Sequence, residues 1–386
     1  MHFTEKLTIS IESQFAELAG NLNKKQQKVI SLGLGEPNFQ TPKEIVIAAY
    51  QAMESGFTRY SNPMGILELR KKIVKKLQLE NKIETNIDEI IITPGAKMAL
   101  SLALSAILNP YDEVINFLPC YPSFQNQIII SQPLAKIINI NLRESDFSID
   151  FKLLEKSITN KTKVVLFNFP HNPTGKMLNK TEFKKLVKIL SKKNCWIISD
   201  EIYEYLNFSN LKHQSFGSVK NLAKKTITIN GFSKAYSMTG WRIGYMHAPK
   251  KIMDKVVKIQ QHINTNVPVF TQKAAIKAIE MPKNSIRKYN KILLNNFDYL
   301  NSSLKKTNKL NVNQSFGGLF SFVNISKTNL NSDRFCYLFL KEFNVATIPG
   351  KFFGSSWDNH IRLSLCCDPQ NFKIGIKNLI KFLKKL

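Results

Sequence analysis

Lys234 stands in the run Asn230-Gly231-Phe232-Ser233-Lys234-Ala235-Tyr236-Ser237, just after Thr226-Ile227-Thr228-Ile229. The β-branched content of that tetrapeptide predicts a strand. A single lysine is thereby placed in a glycine- and serine-rich turn at a carboxyl strand end, the edge where open α/β sheets hold their ligands. A lysine in such a place can form a Schiff base with an aldehyde. Arg242 follows between Gly240 and Gly244, and its planar fork suits the phosphate of a cofactor that carries the aldehyde. In a chain this rich in lysine, however, Lys234 also reads as one more solvent-facing side chain.

Other polar groups fall at comparable places. Lys163–Phe169 reads as a buried strand running into Pro170-His171-Asn172-Pro173-Thr174-Gly175, where Asn172 is the amide left to hydrogen-bond a ligand. Cys195–Ser199 reads as another, ending in Asp200-Glu201-Ile202-Tyr203. A carboxylate buried there could keep a ring nitrogen protonated, with Tyr203 reaching the same ring. Glu89–Thr93 leads through Pro94-Gly95-Ala96-Lys97 into an apolar helix over Met98–Leu108, and free N–H groups at a helix start can bind phosphate. Each feature has a plain alternative as well. An aspartate after a strand caps helices, Asn-Pro begins ordinary turns, and strand-turn-helix is common.

Taken together, Gly231-Phe232-Ser233-Lys234 and Gly240-Trp241-Arg242-Ile243-Gly244 resemble the cofactor-lysine signature of the class I and II aminotransferases, pyridoxal-phosphate enzymes of fold type I. Further motifs in the same order extend the resemblance from about residue 30 to 366: Gly35-Glu36-Pro37-Asn38-Phe39, Tyr60 ahead of Gly65, Gly95-Ala96-Lys97, Pro119-Cys120-Tyr121, Asn172-Pro173-Thr174-Gly175, Asp200-x-x-Tyr203 and Ile361-Arg362-Leu363-Ser364. The resemblance implies pyridoxal 5′-phosphate on Lys234 and Asp200 at the ring nitrogen. It puts Asn172 and Tyr203 at the phenolic oxygen and Tyr121 stacked on the ring. Phosphate contacts would come from Gly95, Ala96, Lys97, Ser233 and Arg242, and from Tyr60 of a second subunit. Gly35, Asn172 and Arg362 would bind the substrate α-carboxylate. Lys97 resembles the lysine of aspartate-specific members, where it meets the distal carboxylate. Gly231 and His171 depart from the pattern of some relatives.

These groups need a frame to position them. The resemblance implies an α/β fold, a large domain with a mostly parallel mixed sheet between helices and a smaller α+β domain. The expected division is 1–39 as an N-terminal arm and part of the small domain, 40–280 as the large cofactor domain and 281–386 as the small C-terminal domain. Apolar spacing predicts an amphipathic arm at 10–22 through Ile11, Phe15, Leu18 and Leu22. It also predicts a helix bearing Ile66, Leu69, Ile73 and Leu77, one bearing Phe183, Leu186, Val187 and Leu190, helices at Val267–Ile279 and Asn284–Leu304, and a last one lined by Phe372, Ile376, Leu379, Ile380 and Leu383. Gly317–Phe322 begins a strand, and Arg362 sits on one of alternating polarity.

Composition bounds the partners. Net charge is +27, but the lysines are scattered over helix faces as in Lys184-Lys185 and Lys192-Lys193, without the arginine-rich patch of a nucleic-acid surface. No run reaches membrane-spanning length. Five cysteines without paired or metal-ligand spacing indicate a reducing, cytoplasmic setting, and no histidine spacing asks for a metal. The expected activity is a ping-pong transfer from an L-amino acid, aspartate first, to an oxo acid such as 2-oxoglutarate, by a homodimer with shared sites. Aromatic or prephenate-type donors, a C–S lyase on the same cofactor and a DNA-binding regulator built on a degenerate fold remain as alternatives.

Overall fold

A computed structural model describes residues 3–8, 29–305 and 307–386; the arm expected at 10–22 lies outside them. In chain order the strands are β1 (Ile30–Ser31), β2 (Ile90–Thr93), β3 (Glu113–Leu118), β4 (Lys136–Asn141), β5 (Thr162–Asn168), β6 (Trp196–Asp200), β7 (Thr226–Gly231), β8 (Gly244–His247), β9 (Asn311–Val312), β10 (Phe320–Asn324), β11 (Val345–Ala346), β12 (Ile348–Pro349) and β13 (His360–Ser364). Seven of them form a sheet in the order β2-β8-β7-β6-β5-β3-β4, parallel except for β8, which runs against both neighbours. This is the mostly parallel mixed sheet of an α/β fold. Its central strands are buried on both faces, as a sheet between helices requires: β6 and β7 are buried from Ile197 and Thr226 onward.

The helix entered at Gly95 spans Ala96–Ile107 and is buried nearly all round. It lies on β7 and β8 and is itself covered by the helices Ser123–Ser131 and Lys250–Ile263. Lys180–Ser191 starts on a capping box made by Asn179 and Glu182 and buries Phe183, Leu186, Ile189 and Leu190. Val187, expected inside, is half-buried, because the buried stripe turns toward Ile189. The helix Leu67–Lys76 buries Leu69 and Ile73, with Leu77 buried just past its end and Ile66, its N-cap, only half-buried; the terminal helix Pro369–Lys385 keeps its predicted inward residues, with Ile380 at the margin.

A second, antiparallel sheet has the order β12-β13-β10-β9, and β1 pairs with β11. The strand expected from Gly317 starts only at Phe320, since Gly318 takes a left-handed φ of 74° in the turn before it. From β1 the chain runs on through residues 32–41 as a strap toward the large sheet. Leu32 accepts from the Ser364 N–H at 2.7 Å, and Thr41 Oγ1 donates to the Ser237 carbonyl at 2.6 Å. Among the described residues no helix is long and apolar enough to cross a membrane.

Ile198 lies in β6 between Leu166 and Ile227, fully buried and two residues before Asp200. Ile198→Ala should lower unfolding free energy by ~2–5 kcal/mol, seen as a lower denaturant midpoint at unchanged transition slope.

Candidate active site

Strand register brings the polar residues to one edge. Thr93 and Gly231 both pair with Gly244, and Asn168 pairs with Asp200, which pairs with Ile229. The carboxyl ends of β2, β5, β6 and β7 therefore lie side by side. Gly95, Asn172, Asp200 and Lys234 follow from them directly, and Arg242 enters from the start of β8. Asn172, Asp200, Lys234 and Arg242 border a cavity of about 410 Å³.

On its floor, Asn168 Nδ2 donates to the Asp200 carbonyl at 3.0 Å, while its Oδ1 accepts from the Asn172 N–H at 3.0 Å. One amide thus ties two of the strand ends together. Asn172 Oδ1 accepts from Arg362 Nη1 at 3.0 Å, which leaves Nδ2 as the group it can offer a ligand. Arg362 Nη2 also donates to the Gly33 carbonyl at 2.8 Å, and its guanidinium lies 4.0 Å from the Phe320 ring centroid and 4.8 Å from that of Phe353. The strand carrying it alternates in polarity as expected, yet all five of its residues are buried. The reason is that Ile361 and Leu363 face the apolar core, while on the other side Arg362 faces the cavity, Ser364 the strap, and His360 stacks on the Phe322 ring at 4.8 Å.

Lys234 is half-buried, and its Nζ donates to the Gly35 carbonyl at 2.7 Å. An added Cβ at Gly35 would lie 2.7 Å from Phe320 Cζ, so the strap passes this close only as glycine. Gly95 has a φ of 84°, and a Cβ there would come 2.8 Å from Arg242 Nη2. The guanidinium thus rests against the turn that feeds a helix start. That combination of cation, free N–H groups and helix dipole is a phosphate cradle. Arg242 itself takes a left-handed φ of 51° and donates from Nη1 to the Thr239 carbonyl at 2.8 Å.

Electrostatics set these groups apart from their surface counterparts. Burial pushes the Asp200 carboxyl up to about 7; Glu201 adds to this, while the Ile202 N–H and Lys234 oppose it. Burial likewise raises the Tyr203 phenol and drives His171 down to about 3, leaving a neutral ring paired with Thr174 Oγ1. Cys120, pushed up to about 12 by burial, is an inert thiol, as its surroundings in sequence suggest.

Of the expected residues, Gly35, Ala96, Lys97, Tyr121, Asn172, Asp200, Tyr203, Ser233, Lys234, Arg242 and Arg362 all line this cavity, and Gly95 touches it through Arg242. Tyr60 stands apart, 88% exposed. Asn168 and Phe320 were not singled out from sequence. An amide at the end of a mostly apolar strand is a signal that could have found the first; nothing local marked the second.

The sequence profile of the family described as Aminotransferase class I and II matches residues 27–379. The chain belongs to that family. An aspartate aminotransferase of Sulfolobus acidocaldarius is 35% identical over 381 residues, covering 96% of this chain and 94% of the relative. Aromatic-amino-acid aminotransferase 2 of Thermococcus litoralis is 31% identical, covering 92% of each. The crystal structure of an aspartate aminotransferase from Thermotoga maritima superposes with a TM-score of 0.92 at 31% identity over 100% of both chains. As a class I and II aminotransferase the protein is a pyridoxal-phosphate-dependent transaminase. The cavity fits that cofactor. It holds a buried acid whose charge a protonated pyridine would balance, a lysine beside it, and the cradle at Gly95 and Arg242 for a phosphate.

Between the unfolded carboxylate value and about 7, native Asp200 holds a proton that the unfolded chain has lost. Wild-type protein freed of cofactor should therefore lose stability as pH rises through that window. Asp200→Asn should match it near pH 4 and exceed it by an amount on the order of a few kcal/mol above pH 7, read by denaturant titration at several pH values.

Proposed function

We propose that the protein moves the amino group of L-aspartate to 2-oxoglutarate. The observation that carries the donor assignment is the set of cations on one cavity: beyond Lys234 and Arg242, both Arg362 and Lys97 line it. That supplies one partner for each carboxylate of a dicarboxylic acid. A second reading, an aromatic donor, has support from Tyr121, Phe124 and Phe320 in the same lining and from the Thermococcus relative's name.

In this reading the bound cofactor supplies an aldehyde for capturing the amine and a ring that takes up electrons. Lys234 Nζ would be the covalent anchor for that aldehyde and the base that moves the proton of the substrate Cα. Asp200 holds the proton on the pyridine nitrogen. Asn172 and Tyr203 would hydrogen-bond the phenolic oxygen, and Tyr121 would stack on the ring. Arg242, Ser233 and the N–H groups of Ala96 and Lys97 would hold the phosphate; Gly95, whose own N–H donates to the Thr93 carbonyl at 2.7 Å, would contribute by letting the turn pass close to Arg242. Arg362, the Gly35 N–H and Asn172 orient the α-carboxylate.

The same proposal includes a homodimer. Val46, Ile47, Tyr50, Met53 and Phe57 are exposed on and just after the Lys43–Glu54 helix, with Tyr60 close behind in sequence. This is an apolar face that a second copy would cover, bringing Tyr60 to the neighbouring phosphate. We retain the division at 1–39, 40–280 and 281–386, and a cytoplasmic setting, on the grounds given by the two sheets and the five free cysteines.

Lys234→Ala should abolish the visible absorbance of the lysine-bound cofactor and reduce turnover by ~10³-fold or more. In a panel of amino donors with 2-oxoglutarate, aspartate should lead for wild type. Lys97→Ala should then cut kcat/KM for aspartate by roughly 10- to 100-fold with little change for phenylalanine. Unchanged aspartate turnover in that variant removes the dicarboxylate assignment, and release of pyruvate and sulfide from cysteine would identify an elimination instead.

A further inference from the structure

Asp200 and Tyr203 face the cavity, but Glu201 and Glu204 of the same turn point into a second interior and are 0% and 8% exposed. Glu201 Oε1 accepts from Ser199 Oγ at 2.9 Å. Its Oε2 accepts from Ser215 Oγ at 2.5 Å and faces His213 Nε2 at 2.9 Å. Glu204 is paired with Lys76 Nζ and accepts from Asn81 Nδ2 at 2.7 Å and from Asn230 Nδ2 at 2.8 Å. Asn81 also reaches Ser215 Oγ at 3.1 Å and Glu201 Oε2 at 3.4 Å, joining the two carboxylates into one network. Nothing in this network lines the cavity, and the proposed reaction uses none of it.

Charge counting shows what the network lacks. Two buried carboxylates face one ammonium, so one negative charge is left unless His213 carries a proton, and an unbalanced buried charge is strongly destabilising. The charged groups facing the imidazole are Glu201, Glu204 and Lys76. Burial alone would lower its pKa, and Lys76 acts the same way. The charge of Glu201, its hydrogen bond and the charge of Glu204 outweigh both, so that the net direction is upward. The His213 side chain is 15% exposed, enough contact with solvent to exchange the proton. Glu201 in turn is one of the groups that raises Asp200, against the pull of Lys234.

We propose that His213 is a positioning residue for the transamination site: as an imidazolium it offsets the Glu201 charge directly behind Asp200, so that Asp200 remains the ionised partner of the cofactor ring. The proposal rests on the reading of Asp200 as that partner. When His213 is neutral, the charge of Glu201 is felt in full at the neighbouring carboxylate, and Asp200 binds a proton that the ring nitrogen should hold.

The test measures pyridoxal-phosphate affinity and the cofactor absorbance spectrum of wild type, His213→Gln, His213→Lys and Asp200→Asn across roughly pH 5.5 to 9. In wild type, affinity should rise as Asp200 ionises. His213→Gln should move that midpoint upward by at least ~0.5 pH unit, weakening binding by ~3- to 10-fold near pH 6.5, and should converge on wild type at the alkaline end, where wild-type His213 has lost its own proton. His213→Lys, which keeps the charge, should restore the wild-type midpoint. A midpoint unchanged in His213→Gln, or a loss of affinity equal at every pH, overturns the proposal and leaves the network a purely structural one. If His213→Gln does not fold, Ser215→Ala, which removes another donor from Glu201 Oε2, should shift the midpoint in the same direction by a smaller amount, and no shift there is equally fatal. Asp200→Asn separates the two levels. Loss of the pH dependence in that variant upholds Asp200 as the ring's partner whatever His213 does, and its persistence sinks the Asp200 reading together with this one.

Discussion

Holding an acid out of water beside a site meant for a cation is the constraint around which this molecule is built. Asp200 closes a strand whose neighbours on both sides are parallel and largely buried, so its carboxylate is carried into the interior by the sheet itself. The desolvation that follows would leave it protonated near neutrality. Several other features answer that one problem. Lys234 lies close enough to pull the carboxyl toward ionisation, Asn168 fixes the backbone on which it sits, and the network around Glu201 and Glu204 balances charge on the far side of the turn. A cavity that was only polar could bind many anions. An acid this poorly solvated specifically favours a protonated heteroaromatic ring.

The second sheet contributes through very few atoms. Arg362 reaches from β13 to Asn172 on the large-sheet side and to Gly33 in the strap. The strap is in turn held to the lysine turn by Lys234 and Thr41, with Trp241 Nε1 donating to Thr41 Oγ1 at 3.1 Å. Glu36 adds a contact with the Thr239 hydroxyl from the exposed side. The proposed substrate and cofactor ends of the cavity are thus connected by hydrogen bonds as well as by apolar packing.

Strand ends were the readable part of the sequence. A β-branched or apolar run followed by one lysine, one aspartate or one asparagine is a local pattern, and parallel strands in one sheet place such residues at one edge. Lys234, Asp200 and Asn172 were legible on that basis, and the long helices were legible from their spacing. What could not be read locally depends on pairs distant along the chain. Phe320 supports Gly35 and Arg362 from the other sheet. Asn168 acts only because β5 and β6 are in register, and His213 meets Glu201 only because the loop folds back over the turn. The burial of both faces of β13 and the shift from Val187 to Ile189 likewise follow from what covers each element, which a periodicity does not contain.

Arg362 is flanked by two phenylalanine rings and hydrogen-bonded to neutral acceptors before any substrate arrives. Its rotamers are therefore already restricted, and an arriving carboxylate does not have to supply the entropy of ordering a long side chain. The same confinement restricts what can be accommodated. A fork frozen in one plane rewards a planar, bidentate anion in one orientation, so selection between mirror-image amino acids begins with the rigidity of this side chain.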